Sequence, residues 1–380
     1  MEHGRGLGDF VTLPVSSVAF DATATLFEAR EKLSLDVESL RKCAQSPRHH
    51  GEGDVATHTE MALCALVGDG SWWELGERER LEVFATTLLH DIAKPACSRL
   101  VEGEWRHLGH SHLGEKMARA MLWRLGITRE ARERVAQAIR FHQHPFFWDS
   151  RDDARWHVLL MAEGVDPRRV GMLARADGAG RICEDQERLS TTVGLFFDYV
   201  KDVGCGQGPY NFSNDSSRFE YFLKGPGSGR DPGYSVHEAH GRAVVTMASG
   251  LPGTGKTTWA RGRGVEVIAL DEIRRRFGIK AGEAQGAVVL AARERARELL
   301  RGGESFIWDA TMLTRDNRAH LAALAHAYGA RVHIVSFETD AKTLYERNRQ
   351  RVPEDVLGRM VGRWEVATRA ECHHLEFIDG

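Results

Sequence analysis

The sequence predicts two domains of different fold class: an N-terminal all-α domain (1–200) and a C-terminal α/β domain with a parallel sheet (242–380). Before residue 200, apolar residues recur at helical spacing, and histidine and aspartate cluster near predicted helix ends. Glycine, serine and proline accumulate over 201–241, which indicates a connection. Beyond it, short apolar runs alternate with helical patterns, as in a doubly wound sheet.

Composition and charge indicate an ordinary globular protein. The chain has 380 residues, 28% of them charged, and a net charge of −3, so no overall basic field points to nucleic acid. Six cysteines without a C-x-x-C pair argue against a zinc ribbon or a disulfide framework and favour a reducing cytoplasm. We see no signal peptide and no run long enough to cross a membrane, so we expect a cytoplasmic protein without a membrane partner.

Helical patterns account for most of the first domain. Residues 1–15 suit a loose arm or an edge strand. The predicted helices cover residues 22–45, 54–63, 78–89, 115–125 and 186–203, together with shorter stretches ending near residues 142 and 181.

Histidine and aspartate follow several of these helices in a way that suggests a metal site. His90 and Asp91 close one helix and His58 lies near the start of another. Imidazole suits Mn, Ni, Co, Zn or Fe, and carboxylate suits harder ions. One such pair means little, but His142 closes a further helix and Asp177 falls inside an apolar one. A buried carboxylate needs a partner, and a divalent metal would be one.

This series resembles the HD-domain phosphohydrolase superfamily, in the subgroup similar to the HD modules of bacterial tRNA nucleotidyltransferases. The resemblance spans about 55–181 and implies hydrolysis of phosphate esters with bound metal, which makes water more acidic. It implies that one metal is held by His58, His90, Asp91 and Asp177, and a second by His110 and His142. Lys94 could hold a phosphate oxygen as a point charge. We assign His112 and His144 to supporting or surface positions, and His49, His50 and His107 to solvated loops.

Within the connection, Arg218–Leu223 is too aromatic for a free linker. We expect a short strand or helix there, docked on the second domain. The boundary between the domains therefore falls somewhere in 183–241.

The second domain begins with a phosphate-binding loop. Residues 250–257 match G-x-x-x-x-G-K-[ST] between an apolar run and a helix. Lys256 can reach the β- and γ-phosphates, and the Thr257 hydroxyl can ligate Mg²⁺. We therefore expect a nucleoside triphosphate, ATP with Mg²⁺. The predicted binding residues are Gly250, Gly253, Thr254, Gly255, Lys256, Thr257 and Thr258.

Further strands are predicted at 265–270, 305–311, 331–337 and 376–378, and helices at 285–300, 315–328, 341–351 and 353–365. Ligands of open α/β sheets bind at the carboxyl ends of the strands, which places Asp271 to accept a proton and Arg274 to hold a phosphate. The arginines at 347, 349 and 351 fit a lid that neutralises a transferring phosphoryl group, or a solvated helix face. Their spacing does not decide between the two.

The domain resembles the 5′-hydroxyl polynucleotide kinase family over about 242–365. The resemblance rests on the phosphate-binding loop, Asp271 with Arg274, residues 308–311 followed by two arginines, and the segment 347–356. It implies that Asp271 is the general base and that Arg274 holds the phosphate next to the terminal nucleoside. Arg347 and Arg351 would contact the donor phosphates, with Asp309 nearby.

Together the two resemblances suggest a bacterial end-healing enzyme of the HD-Pnk type. Such an enzyme would phosphorylate a 5′-OH and remove a 2′,3′-cyclic phosphate or a terminal 3′- or 2′-phosphate in RNA repair. The implied partners are RNA or DNA termini, a nucleoside triphosphate as phosphate donor, and a ligase acting downstream. Two alternatives stay open: a mononucleotide phosphohydrolase and kinase, and an ATP-sensing switch whose HD domain is not catalytic.

Overall fold

The computed structural model describes residues 5–236, 243–279 and 285–380. The chain divides into two compact units, Met1–Tyr210 and Asn211–Gly380. Residues 1–4 of the predicted arm lie outside the described residues, as do the end of the predicted connection and residue 242. The domain limits of the sequence analysis stay predictions.

The first unit is helical apart from one hairpin. Its helices are α1 (Ala22–Leu33), α2 (Val37–Lys42), α3 (Val55–Gly68), α4 (Gly70–Trp73), α5 (Glu77–Leu89), α6 (Lys94–Cys97), α7 (His110–Arg124), α8 (Arg129–Phe141), α9 (His144–Phe147), α10 (Ala154–Ala162), α11 (Pro167–Ala179) and α12 (Gln186–Asp202). The antiparallel hairpin β1 (Arg99–Val101) and β2 (Glu104–Arg106) was not predicted from the sequence. Short 3-10 turns occupy Leu7–Asp9 and Trp148–Ser150.

The prediction of one helix over 22–45 was wrong, because α1 and α2 are separate. Ser34 ends α1 in the left-handed region at φ 57°, and Asp36 begins α2 by accepting a hydrogen bond from the Ser39 amide at 3.1 Å. A left-handed residue followed by a new cap breaks the helical path. The apolar spacing continues across the break because both helices pack on the same core, with Leu26 and Leu40 buried.

Packing in this unit brings helix ends together. Helix α3 packs against α5 and α11, α5 packs against α8, and α7 packs against α8. Their apolar faces form one core that includes Leu63, Phe84 and Val135, all fully buried. The polar residues at the ends of these helices therefore meet at one edge of that core.

The second unit is a parallel sheet with helices. The strands are β3 (Val244–Gly250), β4 (Glu266–Ala269), β5 (Phe306–Asp309), β6 (Arg331–Glu338) and β7 (His374–Asp379). The helices are α13 (Asp215–Lys224), α14 (Lys256–Arg261), α15 (Leu270–Arg276), α16 (Gln285–Gly302), α17 (Arg315–Ala327), α18 (Ala341–Asn348) and α19 (Glu354–Val361), with 3-10 turns at Pro226–Ser228 and Arg369–Glu371.

Within the described residues the sheet has the order β4-β5-β3-β6-β7, and each pairing between neighbours is parallel. Ala248 pairs with Asp309 on one side of β3, and Gly250 pairs with Phe337 on the other. The strands β4 and β5 thus lie on one side of β3, and β6 and β7 lie on the other, so the chain changes sides between β5 and β6. The carboxyl ends of the central strands meet at this switch point, where ligands of such sheets bind. The predicted fold class is confirmed.

The aromatic segment of the predicted connection is a helix of the second unit. In α13, Phe219 is buried in the core formed by the sheet and its helices. The Arg218 guanidinium donates to the carbonyl oxygens of Arg369, Cys372 and His373 at 3.1–3.2 Å. This buried arginine anchors α13 beside β7, so the segment is part of the second unit's structure.

Across the three described stretches, every helix is too short or too polar to serve as a membrane span.

Candidate active sites

The six predicted metal ligands converge in the first unit. Each is at least 95% buried and stands on or next to a different helix end or face: His58 on α3, His90 and Asp91 after α5, His110 at the start of α7, His142 after α8, and Asp177 on α11. They come from segments as far apart as 119 residues in the chain, so only the packing of these helices brings them together.

Pairs of imidazole rings face each other at the centre of this cluster. The Nε2 atoms of His58 and His90 are 3.3 Å apart, and those of His110 and His142 are also 3.3 Å apart. The Asp91 carboxylate links the two pairs, with Oδ2 lying 3.1 Å from His90 Nε2 and Oδ1 lying 3.4 Å from His110 Nε2.

The other ring nitrogen of these histidines is held by backbone. Nδ1 donates to the carbonyl three residues earlier at 2.7 Å in each of three cases: His90 to Thr87, His110 to His107 and His142 to Ile139. In a neutral imidazole, a proton on Nδ1 leaves a lone pair on Nε2. Lone pairs that face each other at 3.3 Å repel unless a cation or a proton lies between them.

The carboxylates reinforce this argument. Neither Asp91 oxygen makes a conventional hydrogen bond, although Lys94 Nζ lies 2.7 Å from Oδ2. Burial alone would raise the pKa of Asp91, but its close neighbours His90 and Lys94 hold it well below its usual range. An ionised, buried carboxylate surrounded by imidazole lone pairs fits a divalent metal.

Three groups of ligand atoms among the described residues could each hold an ion; one comprises His50, Glu52 and His58, and the six predicted ligands make up the two main groups. The first comprises His58, His90 and Asp177, and the second comprises Asp91, His110 and His142; within each group the ligand atoms lie within 4.8 Å of one another. This is the division that the resemblance implied, except that Asp91 stands closer to the second group. Asp91 would therefore be available to an ion held by either group.

Histidine charge is disfavoured in the second group. Burial, together with the neighbouring His110 and His90, lowers the pKa of His142 to about 3. A neutral imidazole is the form that binds a metal.

Glu52 is a component that the sequence analysis missed. Its Oε1 accepts from Nδ1 of His58 at 2.9 Å and from Nδ1 of His50 at 2.8 Å, and its Oε2 accepts from the Ile182 amide at 3.0 Å. Those hydrogen bonds outweigh burial and lower the pKa of Glu52 well below its usual range. A carboxylate on the far nitrogen of a ligating histidine fixes its tautomer and orientation.

The assignment of His50 to a solvated loop was wrong, and so was that of His107. His50 is 9% exposed, and burial lowers its pKa to about 3 despite the bond to Glu52. His107 is half-buried, and its Nδ1 lies 2.9 Å from the Ser98 hydroxyl. Both adjoin the cluster: His50 shares Glu52 with His58, and the His107 carbonyl accepts from His110. His112 is exposed, and the His144 ring packs at a tilt of 54° against the His157 ring, with centroids 5.1 Å apart.

Asp177 has a protein partner as well. Arg181 donates to its two oxygens at 2.9 and 2.8 Å, and Asp177 Oδ1 lies 3.1 Å from His58 Nε2. The predicted need for a partner is thus met in part by an arginine one turn later. Lys94 is 5% exposed and donates to the Gln45 side chain at 2.6 Å, so it stands at the wall of the cluster.

In the second unit, the phosphate-binding loop wraps the end of β3. Gly250, Gly253 and Gly255 have φ values of 154°, 82° and 94°. A Cβ at Gly250 would meet the Phe337 carbonyl at 2.4 Å. The loop therefore requires glycine, and its backbone amides can surround an anion.

Lys256 and Thr257 are held at the start of α14. Lys256 Nζ donates to the carbonyls of Gly250 and Leu251 at 2.8 and 2.7 Å, and burial lowers its pKa to about 8. The Thr257 hydroxyl donates to Asp309 Oδ2 at 2.7 Å. Asp309 thus orients the hydroxyl that would ligate Mg²⁺. Thr254 is buried in the loop, and Thr258 is exposed on α14.

Asp271 and Arg274 lie one turn apart on α15, at the end of β4, and form an ion pair. Arg274 also donates to the Gln285 side chain at 2.9 Å. The Asp271 side chain is 85% exposed. Because β4, β5 and β3 run parallel, the end of β4 that carries Asp271 lies at the same edge of the sheet as the phosphate-binding loop.

Helix α18 contacts the loop directly. Arg347 donates to the Gly253 carbonyl at 3.2 Å, and Asn348 donates to the Pro252 carbonyl at 2.8 Å. Asn348 is 1% exposed. Its contact with the loop was not predicted from the sequence, because the prediction for this segment considered only its arginines. Arg347, Arg349 and Arg351 are exposed, so their side chains are accessible to a nucleotide.

Comparison with known proteins supports this division of the chain. A family model described as HD domain matches residues 56–179, and one described as AAA domain matches residues 245–365. The chain is 37% identical over 227 residues to the Multifunctional CCA protein of Halorhodospira halophila, covering 58% of this chain and 49% of that protein. The chain thus spans about half the length of that relative.

Two further matches are shorter or more distant. Over 64 residues the chain is 41% identical to the CC-adding tRNA nucleotidyltransferase of Thermus thermophilus, covering 16% of this chain and 15% of that protein. The crystal structure of a sugar kinase from Janibacter sp. HTCC2649 aligns with a TM-score of 0.28 and 22% identity, covering 36% of this chain and 84% of that one. The chain therefore combines a helical N-terminal region that matches the HD-domain model with a C-terminal α/β domain that carries a phosphate-binding loop and matches the AAA-domain model.

Proposed function

We propose that this chain is a two-site nucleic-acid end-healing enzyme. Its second unit phosphorylates a 5′-OH from ATP, and its first unit removes a 2′,3′-cyclic phosphate or a terminal 3′- or 2′-phosphate. The observation that carries the proposal is the Asp271–Arg274 pair at the end of β4, at the same edge of the parallel sheet as the phosphate-binding loop. A hydrolase-type cluster in the same chain completes the pair of activities.

In the kinase half, Asp271 accepts the proton of the attacking hydroxyl. Its side chain is exposed and reaches a polynucleotide end without rearrangement of the core. Arg274 exchanges its ion pair with Asp271 for the phosphate next to the terminal nucleoside, which frees the carboxylate to act as base. An acceptor with such an internal phosphate is a polynucleotide, whereas a mononucleoside has none.

Lys256 gives up its two carbonyl contacts when the donor phosphates enter the loop. Arg347 and Arg351 hold the charge of the phosphoryl group in transfer. Thr257, oriented by Asp309, is the residue that would hold Mg²⁺. Catalysis of this kind consists mainly of positioning and charge stabilisation, which the named groups supply.

In the HD half, His58, His90, Asp91, Asp177, His110 and His142 would hold one or two divalent ions. Such ions supply a more acidic water and a clamp on phosphoryl oxygens. Lys94 orients the substrate phosphate from the wall of the cluster, and Arg181 neutralises charge beside Asp177. The printed name of one relative refers to tRNA, which supports RNA as the substrate here.

We also propose that the enzyme acts in the cytoplasm on RNA or DNA ends and hands them to a ligase. Such a ligase needs a 5′-phosphate and a free 3′-OH, which are the products of the two reactions. Contacts with the ends would be mostly to phosphate, with little reading of base sequence.

The test uses a labelled oligonucleotide with a 5′-OH and a 3′-phosphate, incubated with ATP, Mg²⁺ and Mn²⁺. The full chain is compared with Asp271→Asn and Asp91→Asn. We expect Asp271→Asn to lose 5′ phosphorylation and keep 3′-phosphate release, and Asp91→Asn to show the reverse.

Matched controls remove a carboxylate charge close to each site. Glu272 is the neighbour of Asp271 and pairs with Arg276 at 3.1 Å, so Glu272→Gln is the control for the kinase half. Asp153→Asn changes a carboxylate outside the cluster and is the control for the HD half. Both controls should retain both activities. If the unmodified chain acts on neither end but phosphorylates or hydrolyses mononucleotides, the polynucleotide assignment fails. If it binds ATP and shows no turnover with either class, the switch alternative replaces it.

A further inference from the structure

A cavity of about 410 Å³ opens beside the metal-type cluster of the first unit. Its wall includes Lys94 and His110 from the cluster and Arg181, the partner of Asp177. A molecule in this cavity would therefore place one end against the candidate metal ligands. The rest of the cavity decides what that molecule is.

The cavity is lined by more positive than negative groups. Arg181 is fixed, because it is bonded to both oxygens of Asp177 and its guanidinium lies 4.6 Å from the centre of the Phe146 ring. Arg188 pairs with Asp185 at 2.7 Å. Arg106 is also on the wall; its backbone pairs with Arg99, but its side chain has no hydrogen bond or ion pair among the residues that the structure describes. An unpaired arginine facing a cavity suits a phosphate or carboxylate.

Two aromatic side chains also line this cavity and make part of its wall apolar. Trp105 on β2 is 38% exposed and Phe147 at the end of α9 is 49% exposed. Single exposed apolar residues are common and need no explanation. Here two aromatic rings from separate elements border one cationic cavity. Phe146, next to Phe147, is 1% exposed and packs in the core, whereas the Phe147 ring stays partly exposed.

We propose that this cavity binds the terminal nucleoside of a single-stranded, 3′-phosphorylated nucleic acid, with its base stacked on Trp105 and Phe147. The proposal rests on the proposed hydrolase function of the same unit. The terminal phosphate faces the cluster beside Lys94 and Arg181, and Arg106 contacts the next phosphate of the strand. Stacking uses the π-face that every base has, so recognition tolerates any sequence.

One consequence is a preference for unpaired ends. A base inside a duplex is stacked on its neighbours and is not available to aromatic side chains. Trp105 and Phe147 would therefore act as specificity-determining residues for single strands and overhangs.

The experiment measures binding of two fluorescent probes to the full chain in chelator-containing buffer, where turnover is prevented. Both probes are single-stranded with a 3′-phosphate, and they differ only in the last nucleotide, which is either normal or abasic. We expect the chain to bind the normal probe about tenfold more tightly, in line with stacking on one aromatic side chain. Trp105→Ala and Phe147→Ala should each remove most of that preference and leave abasic binding unchanged.

Two further variants keep the outcome unambiguous. Trp105→Phe retains a ring and should retain the preference, whereas Leu195→Ala removes an exposed apolar side chain of α12 outside the cavity and should change nothing. Equal binding of both probes by the unmodified chain, or an unchanged preference in both alanine variants, would overturn the proposal.

Hydrolysis of the same probes with Mn²⁺ separates this proposal from the one on which it rests. Base-dependent binding without phosphate release would refute the hydrolase function and leave the nucleoside site standing. Release from both probes at the same rate, with equal binding, would leave the hydrolase and remove the stacking site.

Discussion

Replacing Glu52 by glutamine should weaken metal binding in the first unit without removing any of the six predicted ligands. Glu52 is not one of the six ligands of the two main groups, and its side chain is 1% exposed. Its Oε1 accepts from both His58 and His50, and its Oε2 accepts from the Ile182 amide. Glutamine has the same shape but carries an NH₂ group in place of one oxygen.

Either orientation of the amide loses partners. With its oxygen toward His58 and His50, the NH₂ group faces the Ile182 amide, and two donors meet. Flipped, it satisfies Ile182 and presents its NH₂ group to both imidazole N–H groups. His58 then loses the acceptor that keeps its proton on Nδ1 and its lone pair on Nε2. Loss of such a partner costs about 10- to 100-fold in metal affinity, or about 1.4–2.8 kcal/mol.

Calorimetric titration of the chelator-treated chain with Mn²⁺ or Ni²⁺ measures this directly, with thermal melting to verify folding. The matched control is Glu60→Gln on α3, which removes a carboxylate that pairs with Arg41 at 2.9 Å outside the cluster. We expect the control to bind metal as the unmodified chain does, and 5′ phosphorylation to be unchanged in both. Metal affinity within twofold of the unmodified chain in Glu52→Gln would refute the reasoning about the His58 tautomer.

Three further predictions concern the second unit. Gly253→Ala places a Cβ 2.7 Å from Asn348 Nδ2 at φ 82°, so it should weaken ATP binding by about 5- to 30-fold. The control Gly262→Ala has φ −84° and 3.7 Å between its Cβ and the nearest atom, so it should bind ATP as the unmodified chain does. Equal ATP affinities of the two variants in a titration would contradict this prediction. Asp309→Asn removes the charged acceptor of the Thr257 hydroxyl. It should lower the affinity for ATP about tenfold in buffer with Mg²⁺ but not in buffer with EDTA. A loss of the same size in both buffers would argue against a role of Asp309 through Thr257. His373 accepts from the Val332 amide at 3.0 Å, and burial lowers its pKa to about 4. Between pH 6.5 and pH 4 the unfolded chain therefore binds more protons at this residue than the folded chain does. The contribution of His373 to the free energy of unfolding is complete above pH 6.5 and falls by about 1.4 kcal/mol per pH unit toward pH 4. Thermal melts at several pH values should show a shallower acid loss for His373→Asn, and parallel curves would show that His373 does not titrate in this way.

The parts of each site that could be predicted from the sequence are those whose residues belong to one short, continuous motif. The loop at 250–257 is one continuous motif, and Asp271 directly follows a strand, so neither needs knowledge of distant contacts. Glu52 could not be found in this way. It acts by joining His58 to the Ile182 amide, which lies 130 residues later in the chain, and nothing in its own loop marks it.

Asn348 was missed for a related reason. Its neighbours are arginines, and their charge suggested a lid or a solvated face for the whole segment. One helix turn presents both kinds of surface, however: Asn348 points to the Pro252 carbonyl and is buried, while Arg347 and Arg349 stay exposed. Burial depends on how α18 meets the loop, which the charge pattern does not report.

The histidines themselves show why helix ends were informative. The last carbonyl groups of a helix lack partners inside it. His90 and His142 directly follow α5 and α8, and their Nδ1 atoms donate to carbonyls near the ends of those helices, at Thr87 and Ile139. A histidine in this position satisfies the helix end and turns its Nε2 lone pair outward at once. The ends of α5 and α8 therefore each supply one Nε2 lone pair, His90 to the first candidate group and His142 to the second, before any carboxylate is added.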